Sequence, residues 1–211
     1  MLTAIDHIII GVNDLERATT VFSQQLGLAV SGGGIHPAGG TANRIIVIGD
    51  TYLELITVRA PSEAEPGMLE RLAKGEGYLN FVLASNNIEA DSMAMARRGV
   101  SIIGPTPGAL RAADGRTRGW SRTNIERPVL AQHYPFIIQH DSAGEERRYR
   151  LAGWSTPPEH PLGATRCSAL RSRLQTWGRP RGASNTFMAC TPRNRSLARP
   201  TDGTRCWFHS R

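Results

Sequence analysis

The feature that most constrains the fold is an order of elements that occurs twice along the chain. Val12-Asn13-Asp14-Leu15 stands between an apolar run and a helical pattern, and Ser85-Asn86-Asn87-Ile88 matches it downstream. The helical pattern ends at Gly27 in the first copy and at Gly99 in the second. Self-similarity at a spacing of about 70 residues is typical of a duplicated structural unit. We therefore predict one unit, built of strands around a single helix and present twice.

The first copy contains the elements of a βαβββ unit. Ile5–Val12 is a β-branched run typical of a strand, and Asp14 is a favourable N-cap for the helix that follows. Leu28–Ser31 is expected to begin a second strand after the helix. Asn43–Ile48 and Thr51–Val58 are predicted to form a hairpin, because a Gly-Asp turn separates two apolar runs.

The second copy repeats this order more weakly. Tyr78–Ala84 is predicted to be a strand, and Asn87 caps a helix over Ile88–Arg98. Pro105–Arg127 is rich in Gly, Pro and polar residues and is predicted to be mostly loop. Tyr134–Asp141 is the predicted closing strand and corresponds to the last strand of the first copy.

The chain is therefore predicted to be an α+β protein with four segments. Residues 1–60 form the first βαβββ module, and residues 61–77 form a linker with a short helix at Met68–Lys74. Residues 78–163 form the second module, and residues 164–211 form a disordered, irregular basic tail without helical or strand periodicity.

Two polar residues lie within apolar strands. Period-two alternation places His7 on one strand face, and it places Glu54 on the same face as Tyr52. A carboxylate in a buried strand is costly unless it is paired, bound to a metal or facing a cavity. Alternatively, Glu54 lies on a solvated face or pairs with Arg44, and His7 is a satisfied histidine of a half-buried strand. Together the two residues are suited to a divalent metal.

The charge distribution argues against nucleic-acid binding by the folded part. The formal net charge is +7, but residues 166–211 hold ten Arg and one acidic residue, so residues 1–165 are mildly acidic. No apolar run approaches the length of a membrane helix, and no leader peptide is recognised, so a cytoplasmic location is expected. All three cysteines lie in the tail, and their spacing predicts neither a zinc site nor a disulfide framework.

The tail also allows a second interpretation, a shifted reading frame. Read from the third base of each codon, Arg173–Gly178 permits Val-Ala-Asp-Leu-Gly, which is similar to Val12–Glu16. The same shift over Asn185–Cys190 gives an obligatory Gly at the spacing that Gly27 has in the first module. We therefore predict an out-of-frame terminus, with a third module in the native frame. An Arg-rich nucleic-acid arm is the less favoured alternative.

The sequence resembles the vicinal oxygen chelate superfamily and, within it, the glyoxalase-like proteins. The resemblance covers residues 3–163 and rests on Asp6-His7, on His36-Pro37 with Gly40–Asn43, and on Gly49–Leu55. It implies paired βαβββ modules that form a cupped eight-stranded mixed sheet. In family enzymes the cup holds a divalent metal, with ligands from the first and last strands of each module.

The resemblance implies candidate site residues by position. His7, Glu54 and Gln139 would be metal ligands, with His140 as the alternative to Gln139, and Asn80 occupies the fourth ligand position. Asn80 is a poor ligand and is assigned to the substrate pocket instead, whereas Gln139 stays a candidate ligand because glyoxalase-type sites use Gln at one position. The other predicted pocket residues are His36, Asn43 and Tyr52. Alternatively, the loop over 36–43 is a plain Gly-rich turn that does not line a pocket.

Two functions follow from the resemblance. The first is a divalent-metal lyase, isomerase or dioxygenase that uses Zn, Fe, Mn or Ni and holds a small vicinal-oxygen substrate in the cup. The second is a metal-free protein of the bleomycin-resistance type that binds and sequesters a small molecule. A small-molecule ligand and a homodimer are expected, and no nucleic-acid or membrane partner is expected.

Overall fold

The computed structural model describes residues 1–112, 114–126, 135–142, 144, 149, 154–171 and 187–192. The first half of the chain folds in the predicted order of strands around one helix. The elements of this half are β1 (Leu2–Gly11), α1 (Leu15–Thr20), β2 (Gly34–Ile35), β3 (Thr41–Ile48) and β4 (Thr51–Val58). A π-helical turn, Val21–Gln25, continues α1. Asp14 caps α1 as predicted, because its carboxylate accepts hydrogen bonds from the backbone N–H groups of Glu16 and Arg17.

The second half repeats the same elements. The helix α2 (Pro66–Lys74) connects the halves, and the elements after it are β5 (Gly77–Ser85), α3 (Ile88–Arg97), β6 (Ile102–Ala112), β7 (Thr117–Ile125) and β8 (Phe136–His140). Asn87 caps α3 by accepting a hydrogen bond from the N–H of Ala90 at 3.0 Å.

The eight strands form one mixed sheet that closes into a barrel in the order β1-β4-β3-β2-β6-β7-β8-β5. Each half contributes its strands in the same spatial order. The pairs β1–β4 and β5–β8 are parallel, and the other neighbouring pairs are antiparallel. The halves meet at β1–β5 and, through two residues of each strand, at β2–β6. The predicted α+β class with paired modules and a cupped eight-stranded sheet is confirmed.

Side-chain alternation gives the sheet two different faces. Ile8 of β1 and Leu55 of β4 pack under the helical segment, against Phe22, in the main core. Ile9 of β1 faces the barrel interior instead and contacts Val82 there. His7 and Glu54 share the parity of Ile9 and Ile56, so their side chains also point into the interior.

Two segment predictions are wrong. Leu28–Ser31 forms no strand, because only the Ser31 N–H within that run is seen to bond across to β3, at Ile45 O. The second strand is instead the short β2. Pro105–Arg127, predicted as mostly loop, forms the long β6–β7 hairpin. Pairing with neighbouring strands outweighs the local Gly and Pro signals there, and a register shift between Ile103 and Thr106 accommodates Gly104-Pro105.

The predicted irregular tail begins with regular structure. Residues Ala164–Arg171 form β9, which pairs antiparallel with β10 (Phe187–Pro192), and Ala164 is buried in the main core. The remainder of 164–211 lies outside the described residues, so the shifted frame stays a prediction, as do the segment boundaries at 60, 77 and 163. No helix among the described residues is both long and apolar enough to cross a membrane.

Candidate functional site in the barrel interior

Glu54 lies at the centre of a polar cluster inside the barrel. The residue is 6% exposed, and its Oε1 accepts a 2.6 Å hydrogen bond from the side-chain amide of Asn43 on β3. Arg44, the alternative partner considered from the sequence, points away and pairs with Glu16 at 2.7 Å. The carboxylate is therefore buried with an amide donor, and no arginine is paired with it among the described ion pairs.

Two imidazoles approach the two oxygens of this carboxylate. His7 Nε2 lies 3.5 Å from Glu54 Oε2, and His36 Nε2 lies 3.7 Å from Glu54 Oε1. Both separations are longer than a normal hydrogen bond. Two ligand atoms that are each about 2.1 Å from one metal ion stand roughly 3.0 to 3.5 Å apart. The 3.5 Å separation is at the upper end of this range and the 3.7 Å separation is beyond it, so a shared cation would need the donors to move closer together.

Asp6 holds His7 from the other side of the ring. The pairing of β1 with β5 shifts register between Ile5 and His7, so Asp6 is the extra residue of a β-bulge. A bulge redirects a side chain that regular alternation would place on the opposite face. Asp6 Oδ1 consequently lies 2.8 Å from His7 Nδ1 and 3.1 Å from His140 Nε2.

The protonation state of Asp6 follows from these contacts. Burial alone would raise the pKa of its carboxyl group, but hydrogen bonds from His140 and His7 outweigh burial and hold that pKa well below its ordinary value. An ionised carboxylate only accepts hydrogen bonds, so His7 Nδ1 and His140 Nε2 are both donors. A neutral His7 then has its lone pair on Nε2, the atom that faces Glu54.

His36 is positioned by the strand that follows it. Its backbone N–H donates to Thr41 O at 3.0 Å, and its Nδ1 lies 2.8 Å from the Thr41 hydroxyl. Burial lowers the pKa of the His36 imidazole; the Glu54 charge opposes this effect, and His7 and Arg122 add to it. His36 is therefore neutral at pH 7 and can offer a lone pair.

Aromatic rings surround the polar cluster. Tyr52 stacks on His7 with 4.6 Å between ring centroids, and Phe136 stands edge-on to His7 at 6.2 Å. Trp120 stands edge-on to both His36 and His140. These rings fix the imidazole orientations and reduce the access of water to the cluster.

The comparison with family models assigns the chain to a family. A family model for the glyoxalase-like domain matches residues 5–176. The chain belongs to the glyoxalase-like domain family. No curated protein matches the chain in sequence.

Solved structures share the glyoxalase-like fold at low identity. A hypothetical protein from Staphylococcus aureus superposes with a TM-score of 0.61 and 22% identity over 71% of this chain, which spans 63% of that protein. Streptomyces coelicolor methylmalonyl-CoA epimerase, in complex with 2-nitronate-propionyl-CoA, superposes with a TM-score of 0.55 and 21% identity over 67% of this chain and all of that one. Methylmalonyl-CoA epimerase from Mycobacterium tuberculosis superposes with a TM-score of 0.50 and 19% identity, over 67% of this chain and 89% of that one. The vicinal oxygen chelate fold expected from the sequence is confirmed.

This glyoxalase-like chain does not bring all the predicted ligands together. Gln139 Oε1 accepts a 2.7 Å hydrogen bond from the N–H of Ile88, at the start of α3 on the outside of the barrel. The interior position on β8 is taken by His140, which contacts Asp6. Asn80 is buried, and its Oδ1 accepts from the N–H of Phe81. The structure thus groups Glu54 with His7 and His36, and it separates Gln139 from them.

Two residues of this site were not assigned their roles from the sequence. Regular period-two alternation would place Asp6 on the face opposite to His7, and the bulge that turns it inward depends on pairing with β5. His36 was placed in the pocket, and its approach to Glu54 depends on the fold of the loop before β3. An Asp directly before a strand His was the one available signal for Asp6, because a buried carboxylate needs a nearby donor. Within the described ranges, no three His, Cys, Asp or Glu side chains are grouped as a metal site requires.

Proposed function

We propose that this protein is a glyoxalase-like enzyme that binds a divalent metal, Zn, Fe, Mn or Ni, through His7, His36 and Glu54. Its substrate is a small molecule with two adjacent oxygens, and its reaction is that of a lyase, isomerase or dioxygenase. The observation that carries the proposal is the approach of two imidazole Nε2 atoms to both oxygens of one buried carboxylate, at 3.5 and 3.7 Å.

The donor set has the right chemistry for such a metal. Two histidines and one carboxylate are typical ligands of non-haem iron, and imidazole also suits Zn and Ni. Metal-binding histidines usually donate their other ring N–H to a carboxylate, as His7 does to Asp6. A cation would also offset the cost of burying the Glu54 charge.

The metal and the surrounding residues would have different roles. When bound, the metal would supply Lewis-acid stabilisation of negative charge on the substrate oxygens. Asp6 keeps the Nδ1 proton on His7 and so keeps Nε2 directed at the cluster. Asn43 orients the Glu54 carboxylate through its 2.6 Å hydrogen bond, and the ring of Tyr52 holds the His7 plane.

A second candidate function is metal-free binding of a small molecule. It is favoured by the Asn43 amide, which already occupies Glu54 Oε1, and by the donor spacing, which is wider than a preformed metal site. Small-molecule binding is common to both candidates, and a solved methylmalonyl-CoA epimerase holds methylmalonyl-CoA. The cytoplasmic location, the homodimer and the lack of a nucleic-acid partner stay predictions.

Metal content separates the two candidates. The full-length chain is stripped with chelator, supplied in turn with Zn, Mn, Ni and anaerobic Fe(II) at pH 7.5, desalted and analysed by elemental mass spectrometry. We expect about one ion per chain, lost in His7→Ala, His36→Ala and Glu54→Ala. Glu63→Ala, which removes an exposed carboxylate that pairs with Arg59, is the matched control and should retain the ion.

The opposite outcome is equally informative. If none of the four ions remains bound to the wild-type chain, the metal-dependent function is wrong and metal-free binding takes its place. Retention of the ion by all three site variants would place the metal elsewhere in the molecule.

A further inference from the structure

Arg122 is a cationic residue beside the polar cluster that the proposed function does not use. It lies two residues after Trp120 on β7, so both side chains are on the barrel-interior face of that strand. Its guanidinium carbon stands 5.4 Å from the centre of the Phe136 ring. The same ring stands edge-on to His7 at 6.2 Å. Phe136 is therefore a common neighbour of Arg122 and the His7 ring.

The ion pair that Arg122 forms with Glu65 is weak. Glu65 lies 3.7 Å away, and its side chain is 74% exposed, so water competes for this pair. Arg122 itself is 37% exposed, which places its guanidinium between solvent and the interior. A guanidinium has five donors in a planar fork that matches the two oxygens of a carboxylate.

We propose that Arg122 binds the carboxylate of the substrate, and that this cup takes small oxygenated carboxylates such as 2-hydroxy or 2-oxo acids. The inference rests on the proposed function for the location of the site, since the adjacent oxygens of such an acid would face His7 and Glu54. Contact with the Phe136 ring restrains the guanidinium, so less freedom is lost when its fork forms two parallel hydrogen bonds. Glu65 exchanges with the incoming carboxylate at the rim.

The test compares an acid with its neutral ester. Mandelate and methyl mandelate share the ring and the 2-hydroxyl group, but only mandelate carries a charge. Their dissociation constants for the full-length, metal-supplied chain are measured by ligand-observed NMR. We expect mandelate to bind about tenfold more tightly than the ester, as a charge-assisted bidentate pair implies. Arg122→Gln should reduce this preference by weakening mandelate alone, and Arg122→Lys should retain more of it.

The chain offers a matched control for the loss of charge. Arg59 also pairs with an exposed glutamate, Glu63, at 3.7 Å, and it is 44% exposed. Arg59→Gln should keep the full preference for the acid. Circular dichroism and metal content, measured on each variant, separate a failure of this proposal from misfolding or from a failure of metal binding.

Three results would overturn the proposal. The first is equal binding of acid and ester by the wild-type chain, including no binding of either. The second is an unchanged preference for the acid in Arg122→Gln. The third is a loss of this preference in Arg59→Gln that equals the loss in Arg122→Gln. Repeating the titration on chelator-stripped protein shows whether the preference depends on a metal. A preference that persists without one supports the Arg122 assignment even if the metal proposal fails.

Discussion

At the scale of single residues, the site depends on where protons are held. Asp6 is buried at a β-bulge and contacts two histidines, one of which faces Glu54. Since its pKa is lowered, Asp6 is an acceptor for both rings across the ordinary pH range. Asp6 therefore favours the His7 tautomer with the proton on Nδ1.

Replacing Asp6 with Asn tests this role. Asp6→Asn keeps the size of the side chain and removes the charge, so His7 loses its preference for a proton on Nδ1. We expect metal affinity to fall about 10- to 100-fold, measured by competition with a chelating dye. In metal-free protein, ¹⁵N NMR of the His7 ring should change from the Nδ1–H tautomer to a mixture.

A control and a contrary result complete this experiment. Asp114→Asn removes an exposed carboxylate that is bonded to Arg116 in a turn, and it should change neither readout. An unchanged His7 tautomer in Asp6→Asn would show that the ring is oriented by packing against Tyr52 instead.

At the scale of elements, β8 presents different residues to the two sides of the sheet. Alternation sends His140 to the interior and Gln139 to the first turn of α3. Gln139 therefore satisfies a backbone N–H that has no partner within the helix. It has the position of a capping residue, although it comes from another strand.

This placement gives a prediction that separates stability from metal binding. Gln139→Ala should lower the free energy of unfolding by about 1 kcal/mol, because the Ile88 N–H loses its acceptor. Urea unfolding measures this loss, and metal affinity should stay unchanged. Gln24→Ala, at an exposed position, should change neither quantity. Loss of the metal in Gln139→Ala would instead restore the ligand role predicted from the sequence.

At the scale of the whole molecule, a segment after the barrel is joined to its first half. His160 Nδ1 accepts from the N–H of Ala29 at 2.8 Å, and its Nε2 donates to Val47 O at 2.6 Å. Leu162 adds a backbone bond to Gly27 O, and Ala164 enters the main core. Residues 154–171 therefore belong to the folded body, in agreement with a family match that extends to residue 176.

This connection makes stability depend on pH. Burial lowers the pKa of His160, and the hydrogen bond to Val47 O opposes this only in part. Above the unfolded value of about 6.5 both states are neutral and the full stability is present. As pH falls below it, the unfolded chain takes up a proton that the folded chain resists, so stability is lost.

Urea unfolding at pH 7.5 and pH 5.5 measures this effect. His160→Gln should lose less stability between the two pH values than the wild-type chain, by about 1 kcal/mol for the bond to Ala29 that protonation breaks. Some loss remains in the variant, because the pKa of His36 is also lowered. An equal loss in both proteins would show that His160 does not control the connection.

Local sequence signals determined the elements that depend on nearby residues. The caps at Asp14 and Asn87, the β-branched runs and the repeated order all act over a few positions, and they gave the α+β class and the paired modules. They also indicated His7 and Glu54, because a polar residue in an apolar strand needs a partner wherever the strand lies.

Only the tertiary structure decided which side chains meet. The bulge that turns Asp6 inward exists because β1 pairs with β5, and His36 reaches Glu54 because β3 pairs with both β2 and β4. The β6–β7 hairpin likewise depends on strand pairing that its Gly-rich and Pro-rich sequence does not predict. Strand register and loop closure are properties of pairs of distant segments, so no single stretch of this sequence contains them.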